Sequence, residues 1–369
     1  MATHAPFFIV GMPRAGTTLL ARILDCHPAC AVFPEAIMFR LLYYLGCETR
    51  FTYTWQYLLW LNIFYAGLAR YDDPAAWCLA QLALDLPEYQ GATQQLLNRL
   101  AECYCREKDA QHWSEKTPLH ALHLPEIHRL YPEAKLVCLV RDPRDVLTSH
   151  VTRWNAGKAR DLFVFGRAAS LKNYLYQLRY CNPFAASAQL WLRYEDLTQA
   201  PEQELQRICT FLGMNYDDKM LTFHQHSIMP DSLRVHHPRL EQPITTSRQG
   251  HYKEMFSDTQ QQMLAQFFRA DLEAFHYDLP AKVNKSISMS QQLVKQQLTK
   301  MYAHSGYHAR RYGLQLARVK AQGRLHLLAY QLFGKQMGRW QNYKLVYSEA
   351  DWHARLADDE SKRTQHQGA

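Results

Sequence analysis

Three short apolar segments along the chain predict buried strands. They are Phe7–Val10, Leu136–Val140 and Leu190–Tyr194. The first is followed by a glycine turn and the helix-forming segment Thr17–Leu24, and the second by a polar turn at 141–144 and another helix-forming segment. Strands that alternate with helices are typical of a parallel sheet covered on both faces, so the sequence predicts an α/β fold. Ligands of such folds bind beyond the carboxyl ends of the strands, where both turns would lie.

A fourth segment, residues 51–69, contains no charged residue and is flanked by Arg50 and Arg70. Its length would just span a bilayer. It carries threonine, glutamine and asparagine, however, and is rich in Trp and Tyr rather than Leu and Ile. This composition favours a helix packed on an aromatic pocket or resting at a membrane interface over a transmembrane span.

The charge of the chain is unevenly distributed. Of the net +8, residues 281–369 carry +10, from 15 basic and 5 acidic residues, so the remainder is nearly neutral. We therefore expect two units, a catalytic or binding domain at 1–280 and a basic, helical C-terminal extension at 281–369 with a disordered end. The extension is a candidate for contacting an anionic membrane surface, a protein partner or the domain itself. The near-neutral domain argues against a nucleic-acid partner.

The first apolar run, Phe7–Val10, is too short for the core of a secretory signal, which favours a cytoplasmic protein. The nine cysteines include no CxxC pair, and Cys103 and Cys105 lie too close together for a metal-finger spacing. We expect reduced, mostly buried cysteines and no metal.

The turn after the first strand has the features of a phosphate-binding loop. Two glycines, Gly11 and Gly16, frame it, and a helix begins directly behind it, so that backbone N–H groups could surround an anion. Nucleotide-triphosphate loops of this type carry a lysine after the second glycine, but here that residue is Thr17, which argues against a kinase or NTPase. The cation lies instead within the loop, at Arg14.

The segment Gly-x-Pro-Arg-x-Gly-Thr-Thr-Leu resembles the 5'-phosphosulfate-binding loop of the sulfotransferase family, in which the sulfuryl donor is 3'-phosphoadenosine 5'-phosphosulfate (PAPS). The resemblance implies a P-loop nucleotide-binding α/β fold and the product adenosine 3',5'-bisphosphate. The nucleotide-binding residues that it implies in this loop are Pro13, Arg14, Ala15, Gly16, Thr17 and Thr18.

The turn after the second strand also resembles this family, whose arginine and serine at this spacing bind the 3'-phosphate. The corresponding residues are Arg141 and Ser149, and a guanidinium can bind a phosphate through two hydrogen bonds. The alternative is that Arg141 and Arg144 pair with Asp142 and Asp145 on a solvated turn, which fits Arg144 better than Arg141.

Two further segments extend the resemblance to about residues 6–278. Tyr194, in Leu192–Leu197, matches a family tyrosine that contacts the adenine, the alternative being a core tyrosine at a strand end. Residues 247–253 resemble the basic loop that closes over the nucleotide, and this likeness implies that Arg248 and Gly250 bind it.

The residues of the reacting centre are less regular. Sulfuryl transfer needs positioned cations and a base for the acceptor proton. Arg14 and Lys116 are the candidate cations, the latter by its likeness to the lysine of the family's Lys-Thr-Pro segment; the alternative is a surface lysine paired with Glu115. Cytosolic sulfotransferases carry a histidine base where this chain has Pro118, and the nearby His120 and His123 have the wrong spacing.

A different base is implied by the segment after the first helix, which is similar to protein-tyrosine sulfotransferases. The catalytic glutamate of those enzymes corresponds to Glu35, although a residue that follows Pro34 also suits the first turn of a helix. Those enzymes carry a substrate-binding arginine two residues further on, where this chain has Ile37, and this puts an acidic peptide substrate in doubt.

The sequence therefore predicts a sulfotransferase that acts on a hydroxyl or amine of a small molecule, a carbohydrate or a protein. The aromatic residues between 43 and 65 favour an apolar or ring-bearing acceptor. Two alternatives stay open: a nucleotide or small-molecule kinase on a related loop, and a non-catalytic nucleotide-binding scaffold.

Overall fold

The structure is a computed structural model that describes residues 5–33, 35, 39, 42, 49–51, 91–226 and 238–280. The aromatic, uncharged stretch at 51–69, apart from Phe51, and the basic extension at 281–369 lie outside the described residues. The two-unit organisation and the role of the extension therefore stay predictions. None of the helices in the described part of the chain is long and apolar enough to cross a membrane.

Five parallel strands form one sheet in the order β2-β3-β1-β4-β5. The strands are β1 (Phe7–Gly11), β2 (Cys30–Phe33), β3 (His112–Lys116), β4 (Lys135–Val140) and β5 (Gln189–Arg193). The predicted parallel α/β sheet is thus confirmed. The third predicted strand ends one residue earlier than expected, because Tyr194 begins a helix.

Helices cover the sheet. Within the described residues they are α1 (Thr17–Asp25), α2 (Thr93–Glu107), α3 (Leu124–Leu130), α4 (Pro143–Trp154), α5 (Asp161–Tyr180), α6 (Tyr194–Gln199), α7 (Pro201–Leu212), α8 (Phe223–His226), α9 (Tyr252–Met255), α10 (Asp258–Phe267) and α11 (Arg269–Ala274). Short 3₁₀ turns lie at Pro118–Leu122, Ala186–Ala188, Asp218–Met220 and Pro238–Glu241.

Alternate residues of the central strand β1 enter two separate hydrophobic cores. Phe8 and Val10 belong to one core, and Phe7 and Ile9 to the other. Successive side chains of a strand point to opposite faces, so a strand with a core on each side must be apolar throughout. This is why β1 appears in the sequence as an uninterrupted apolar run. Its carboxyl end is thereby fixed between two packed layers, directly under the loop that follows.

Candidate functional site

The loop between β1 and α1 has a backbone that depends on glycine. Arg14 and Gly16 both have positive φ, 71° and 106°. A Cβ atom on Gly16 would lie 2.5 Å from Cδ2 of Tyr194, and one on Gly11 would lie 2.5 Å from the Leu139 carbonyl oxygen. Gly16 is also the N-cap of α1. The first amides of this helix therefore lie at the carboxyl edge of the sheet without a capping side chain from Gly16, an arrangement that attracts anions.

Arg14 and Ser149, the two predicted phosphate ligands from different turns, are in direct contact. Nε of Arg14 donates a hydrogen bond of 3.1 Å to Oγ of Ser149. The Arg14 side chain thus joins the loop after β1 to helix α4, 135 residues further along the chain. The two turns that the sequence suggested as separate anion sites therefore lie next to each other.

Arg141 connects three parts of this site. Its guanidinium donates to the carbonyl oxygens of Arg14, at 3.4 Å, and of Arg248, at 2.5 Å. It also lies over the ring of Tyr194, 4.5 Å from the centroid. The Tyr194 ring in turn lies against Gly16, where only a glycine leaves room for it. Tyr194 is 8 % exposed, and burial raises the pKa of its hydroxyl.

The positive charge of this cluster is concentrated. Burial and the neighbouring Arg153, Arg141 and Arg248 all lower the pKa of the Arg14 guanidinium, whereas Glu35 raises it. Burial, Arg239 and Arg141 likewise lower the pKa of Arg248. Like charges are costly to hold together in a partly buried site, and a bound polyanion would relieve the repulsion.

A second observation points to the same kind of ligand. The Nε atom of Arg141 is buried and makes no hydrogen bond to any residue that the structure describes. A buried donor without a partner is costly. The residues of this site therefore fit a nucleotide with more than one phosphate group.

Lys116 and Glu35, the predicted catalytic lysine and base, form an ion pair. Nζ of Lys116, at the end of β3, lies 2.7 Å from Oε2 of Glu35 and 3.2 Å from Oγ1 of Thr18 at the start of α1. The Lys116 side chain is 4 % exposed and that of Glu35 is 35 % exposed. The alternative of a surface lysine paired with Glu115 is wrong, because Lys116 is buried and bound to other residues.

Glu115 faces the opposite side of β3 and belongs to a buried polar group. Its Oε2 lies 2.6 Å from Nδ1 of His120, with both side chains fully buried. The hydroxyl of Thr117 donates a hydrogen bond to Oε1 of Glu115, at 2.5 Å. The Phe39 amide donates to Nε2 of His120, at 3.4 Å. Both ring nitrogens of His120 thus face neighbours inside the core, Nδ1 the Glu115 carboxylate and Nε2 a backbone amide, so this fully buried histidine is not placed to receive a proton from a substrate.

Residues 248–252 lie against helices α4 and α6. Asp145 accepts hydrogen bonds from the amides of Gly250, at 2.7 Å, and Tyr252, at 3.0 Å. Gly250 has a φ of 74°, a conformation that favours glycine. Arg248 and Gly250, predicted from a variable segment, are thus brought to the same site as Arg141.

Arg144, the last residue of the turn after the second predicted strand, has a structural role. Arg144 pairs with Asp142, at 2.6 Å, and lies 4.1 Å from the ring centroid of Tyr252. The pairing matches the alternative weighed for Arg144, but the pair is buried rather than solvated. Arg141 does not share it.

Two residues of the site were not predicted to act there. Asp145 was considered only as a partner of arginine, but it binds backbone amides. His150, next to Ser149, places Nε2 3.3 Å from the Pro13 carbonyl oxygen of the phosphate loop. Both are buried residues of α4, and their place in this helix is the sequence signal that would have indicated them.

Comparison with known proteins agrees with this geometry. Residues 6–218 match the sulfotransferase family, and this match covers more than half of the chain. The protein therefore belongs to the sulfotransferase family.

Its relatives include a Caenorhabditis briggsae protein named "Putative protein-tyrosine sulfotransferase", which is 30% identical over 230 residues, 59% of this chain and 69% of the relative. Protein-tyrosine sulfotransferase 2 of Gallus gallus is 28% identical over 222 residues, 58% of this chain and 52% of the relative. The chain thus spans only about half the length of the second protein.

Solved structures show the same fold. The sulfotransferase domain of the Synechococcus PCC 7002 olefin synthase superposes with a TM-score of 0.56 at 20% identity, covering 76% of this chain and 97% of that domain. The sulfotransferase domain from the curacin biosynthetic pathway gives a TM-score of 0.50 at 21% identity, covering 76% of this chain and 100% of that domain.

Proposed function

We propose that this sulfotransferase takes the sulfuryl group from PAPS and transfers it to an acceptor hydroxyl by in-line displacement. The observation that carries the proposal is that Lys116 and Arg141 both contact the segment formed by the phosphate loop, which carries Arg14, and the start of α1. Arg14 contacts Ser149, Lys116 contacts Thr18, and Arg141 contacts the Arg14 carbonyl oxygen. A donor that carries a phosphosulfate at one end and a phosphate at the other would neutralise this cluster.

The nucleotide-binding residues divide into three groups. The loop at 13–18 would hold the 5'-phosphosulfate through its amides and Arg14, while Arg141 and Ser149 would hold the 3'-phosphate. Tyr194 would contact the adenine, with Arg248 and Gly250 covering the nucleotide. The buried Nε of Arg141 supports this division, because it is a donor that still needs an acceptor.

PAPS supplies an activated sulfuryl group. During the transfer, negative charge develops on the bridging oxygen of the leaving nucleotide. Lys116 is buried beside the helix start and would stabilise that charge together with Arg14. Glu35 is the more exposed member of its ion pair and would be reached by an acceptor from solvent. Lys116 binds Oε2 of Glu35, so Oε1 is the oxygen that we assign to accept the acceptor proton.

The acceptor is proposed to carry its hydroxyl on a ring. Two of the relatives are named as protein-tyrosine sulfotransferases, which supports a phenolic hydroxyl. Ile37 stands where those enzymes carry a substrate-binding arginine, and we therefore do not extend the proposal to acidic peptides. A sugar hydroxyl or an amine is the second choice within the same chemistry.

The proposal is tested by incubating the protein with labelled PAPS and panels of phenols, tyrosine peptides, sugars and amines, and by identifying sulfated products by mass. Lys116→Met is the matched control, because it removes the proposed catalytic cation while leaving a side chain of similar length. We expect sulfation by the wild type and little by the variant. Phosphate transfer from ATP, or no binding of adenosine 3',5'-bisphosphate, would contradict the proposal.

A further inference from the structure

Asp145 is a buried carboxylate to which neither the proposed chemistry nor the family resemblance assigns a task. It lies in the first turn of α4 and is 2% exposed. Its two oxygens accept from two different amides of the same segment, Gly250 at 2.7 Å and Tyr252 at 3.0 Å. A carboxylate that binds two backbone amides fixes that backbone more firmly than a neutral acceptor would.

The segment in question, residues 248–252, is here called the cover loop. Other contacts hold the first two residues of this loop. The Arg248 carbonyl oxygen accepts from Arg141, and Nε2 of Gln249 donates to the Glu195 carbonyl oxygen at 3.1 Å and to Oγ1 of Thr198 at 2.8 Å. The cover loop is thereby bound to Arg141, to α6 and, through Asp145, to α4, all of which are or carry predicted nucleotide ligands.

We infer that Asp145 is a positioning residue, which holds the cover loop in the conformation that binds the nucleotide. The inference rests on the proposed function, because it assigns the cover loop to the nucleotide site. Asp145 lies on the same helix as Ser149, four residues earlier, so one helix would set both the phosphate ligand and the loop above it. Burial raises the pKa of Asp145 above its ordinary value, and the nearby positive charge of Arg141 opposes this effect.

The test is Asp145→Asn, which keeps the shape but replaces one acceptor oxygen with a donor nitrogen. One of the two loop amides then loses its acceptor. We expect faster hydrogen exchange of residues 248–252 in the nucleotide-free protein and about 10- to 100-fold weaker binding of adenosine 3',5'-bisphosphate. At saturating PAPS, kcat should stay within about threefold of wild type, because Lys116 and Glu35 are unchanged.

Asp271 offers a matched control. It is also a buried carboxylate, 3% exposed, and it binds Lys172 and Arg179 rather than the cover loop. Asp271→Asn should lower the free energy of unfolding without changing loop exchange or bisphosphate affinity. An equal loss of affinity in Asp271→Asn would mean that the effect is one of general stability, and this would overturn the inference.

A second variant keeps the test decisive if Asp145→Asn fails to fold. Gln249→Ala removes two hydrogen bonds of the cover loop from a side chain that is not in the core, and the same loosening and weaker binding are expected. Unchanged exchange in Asp145→Asn, or faster exchange with unchanged affinity in either variant, would refute the positioning role. Hydrogen exchange is measured without nucleotide, so it separates failure of this inference from failure of wild type to bind the bisphosphate, which would instead contradict the proposed function.

Discussion

Nζ of Lys116 lies 2.7 Å from Oε2 of Glu35, although the two residues are 81 positions apart in the sequence. Each residue was predicted from a different family resemblance, Lys116 from the Lys-Thr-Pro segment and Glu35 from the segment that follows the first helix. Their contact follows from the sheet order, because β2 and β3 are neighbours and both run toward the same edge. Sulfuryl transfer requires a base and a cation that lie close together.

Glu35→Gln is expected to lower kcat by about a hundredfold to ten-thousandfold, the usual contribution of a positioned base. Glutamine keeps the size and can still accept a hydrogen bond from Lys116, but it cannot take a proton. Affinity for adenosine 3',5'-bisphosphate should be nearly unchanged. Steady-state kinetics and a bisphosphate titration check both statements. Near-full turnover in this variant would remove Glu35 from the mechanism.

His120→Ala is expected to damage stability rather than chemistry. It leaves the buried carboxylate of Glu115 without its 2.6 Å neighbour, at a cost of about 1–3 kcal/mol in the free energy of unfolding. Urea denaturation measures this, and kcat should stay close to wild type at temperatures where the variant is folded. His123→Ala is the comparison, because His123 lies 3.9 Å from Glu126 and should cost less. A folded His120→Ala protein without activity would instead make this histidine the base.

The sequence was informative where one physical requirement dominated. Strands β1 and β4 are apolar at nearly every position because both faces of the sheet are covered, and they were predicted. Strand β3 reads His-Trp-Ser-Glu-Lys, and the neighbours of its buried Glu115 and Lys116 are ones that only the fold supplies. No local pattern could have indicated it as a strand.

The residues of the site also differ in how far the sequence could predict their roles. Arg14, Arg141 and Tyr194 follow apolar strands at the edge where ligands bind, so their meeting was predictable. The role of Asp145 was not, because its partners are backbone amides more than 100 residues away, and any sequence has amides. The ion pair of Lys116 with Glu35 required the neighbouring positions of β2 and β3, and no apolar pattern indicates β3.

Arg141→Ala is expected to weaken binding of adenosine 3',5'-bisphosphate by about 1.5–3 kcal/mol, typical of a hydrogen bond to a charged group. Adenosine 5'-phosphosulfate, which lacks the 3'-phosphate, should bind the wild type less tightly than PAPS and the variant no worse than the wild type. Calorimetric titration of each pair measures this. Arg207→Ala is the control, since Arg207 pairs with Glu204 and the Trp191 carbonyl oxygen. Equal wild-type affinity for both nucleotides would contradict the 3'-phosphate assignment.

Gly16→Ala should disrupt the phosphate loop. The backbone there has a φ of 106°, and the new Cβ would meet Tyr194 at 2.5 Å. The left-handed conformation alone costs a non-glycine residue about 1–2 kcal/mol, so a lower melting temperature and weaker bisphosphate binding are expected. Gly166→Ala is the control, because Gly166 lies in α5 with open space around it and alanine should stabilise that helix by about 0.5–1 kcal/mol. A normal nucleotide affinity in Gly16→Ala would remove the loop from the site.

His150 lies against the phosphate loop, with Nε2 3.3 Å from the Pro13 carbonyl oxygen. Burial, together with the charges of Arg167 and Arg14 and against the opposing effect of the Pro13 carbonyl, lowers the pKa of His150 to about 3. The unfolded chain, with a histidine pKa of about 6.5, therefore binds the proton more readily than the folded protein does. It follows that His150 costs no stability above about pH 7, and that the folded protein loses stability as the pH falls from about 6.5 toward 3.

His150→Gln removes this titration and can still donate to the Pro13 carbonyl. The free energy of unfolding of the wild type should therefore fall more steeply between pH 7 and 4.5 than that of the variant, by up to about 1.4 kcal/mol per pH unit, which is the effect of one proton. Urea denaturation at several pH values measures the two slopes, and groups common to both proteins cancel in the difference. His226→Gln, at an exposed histidine of α8, should keep the wild-type slope. If the slopes of His150→Gln and wild type coincide, His150 is protonated in the folded protein at these pH values, and its ring nitrogens must then be charged beside Arg14.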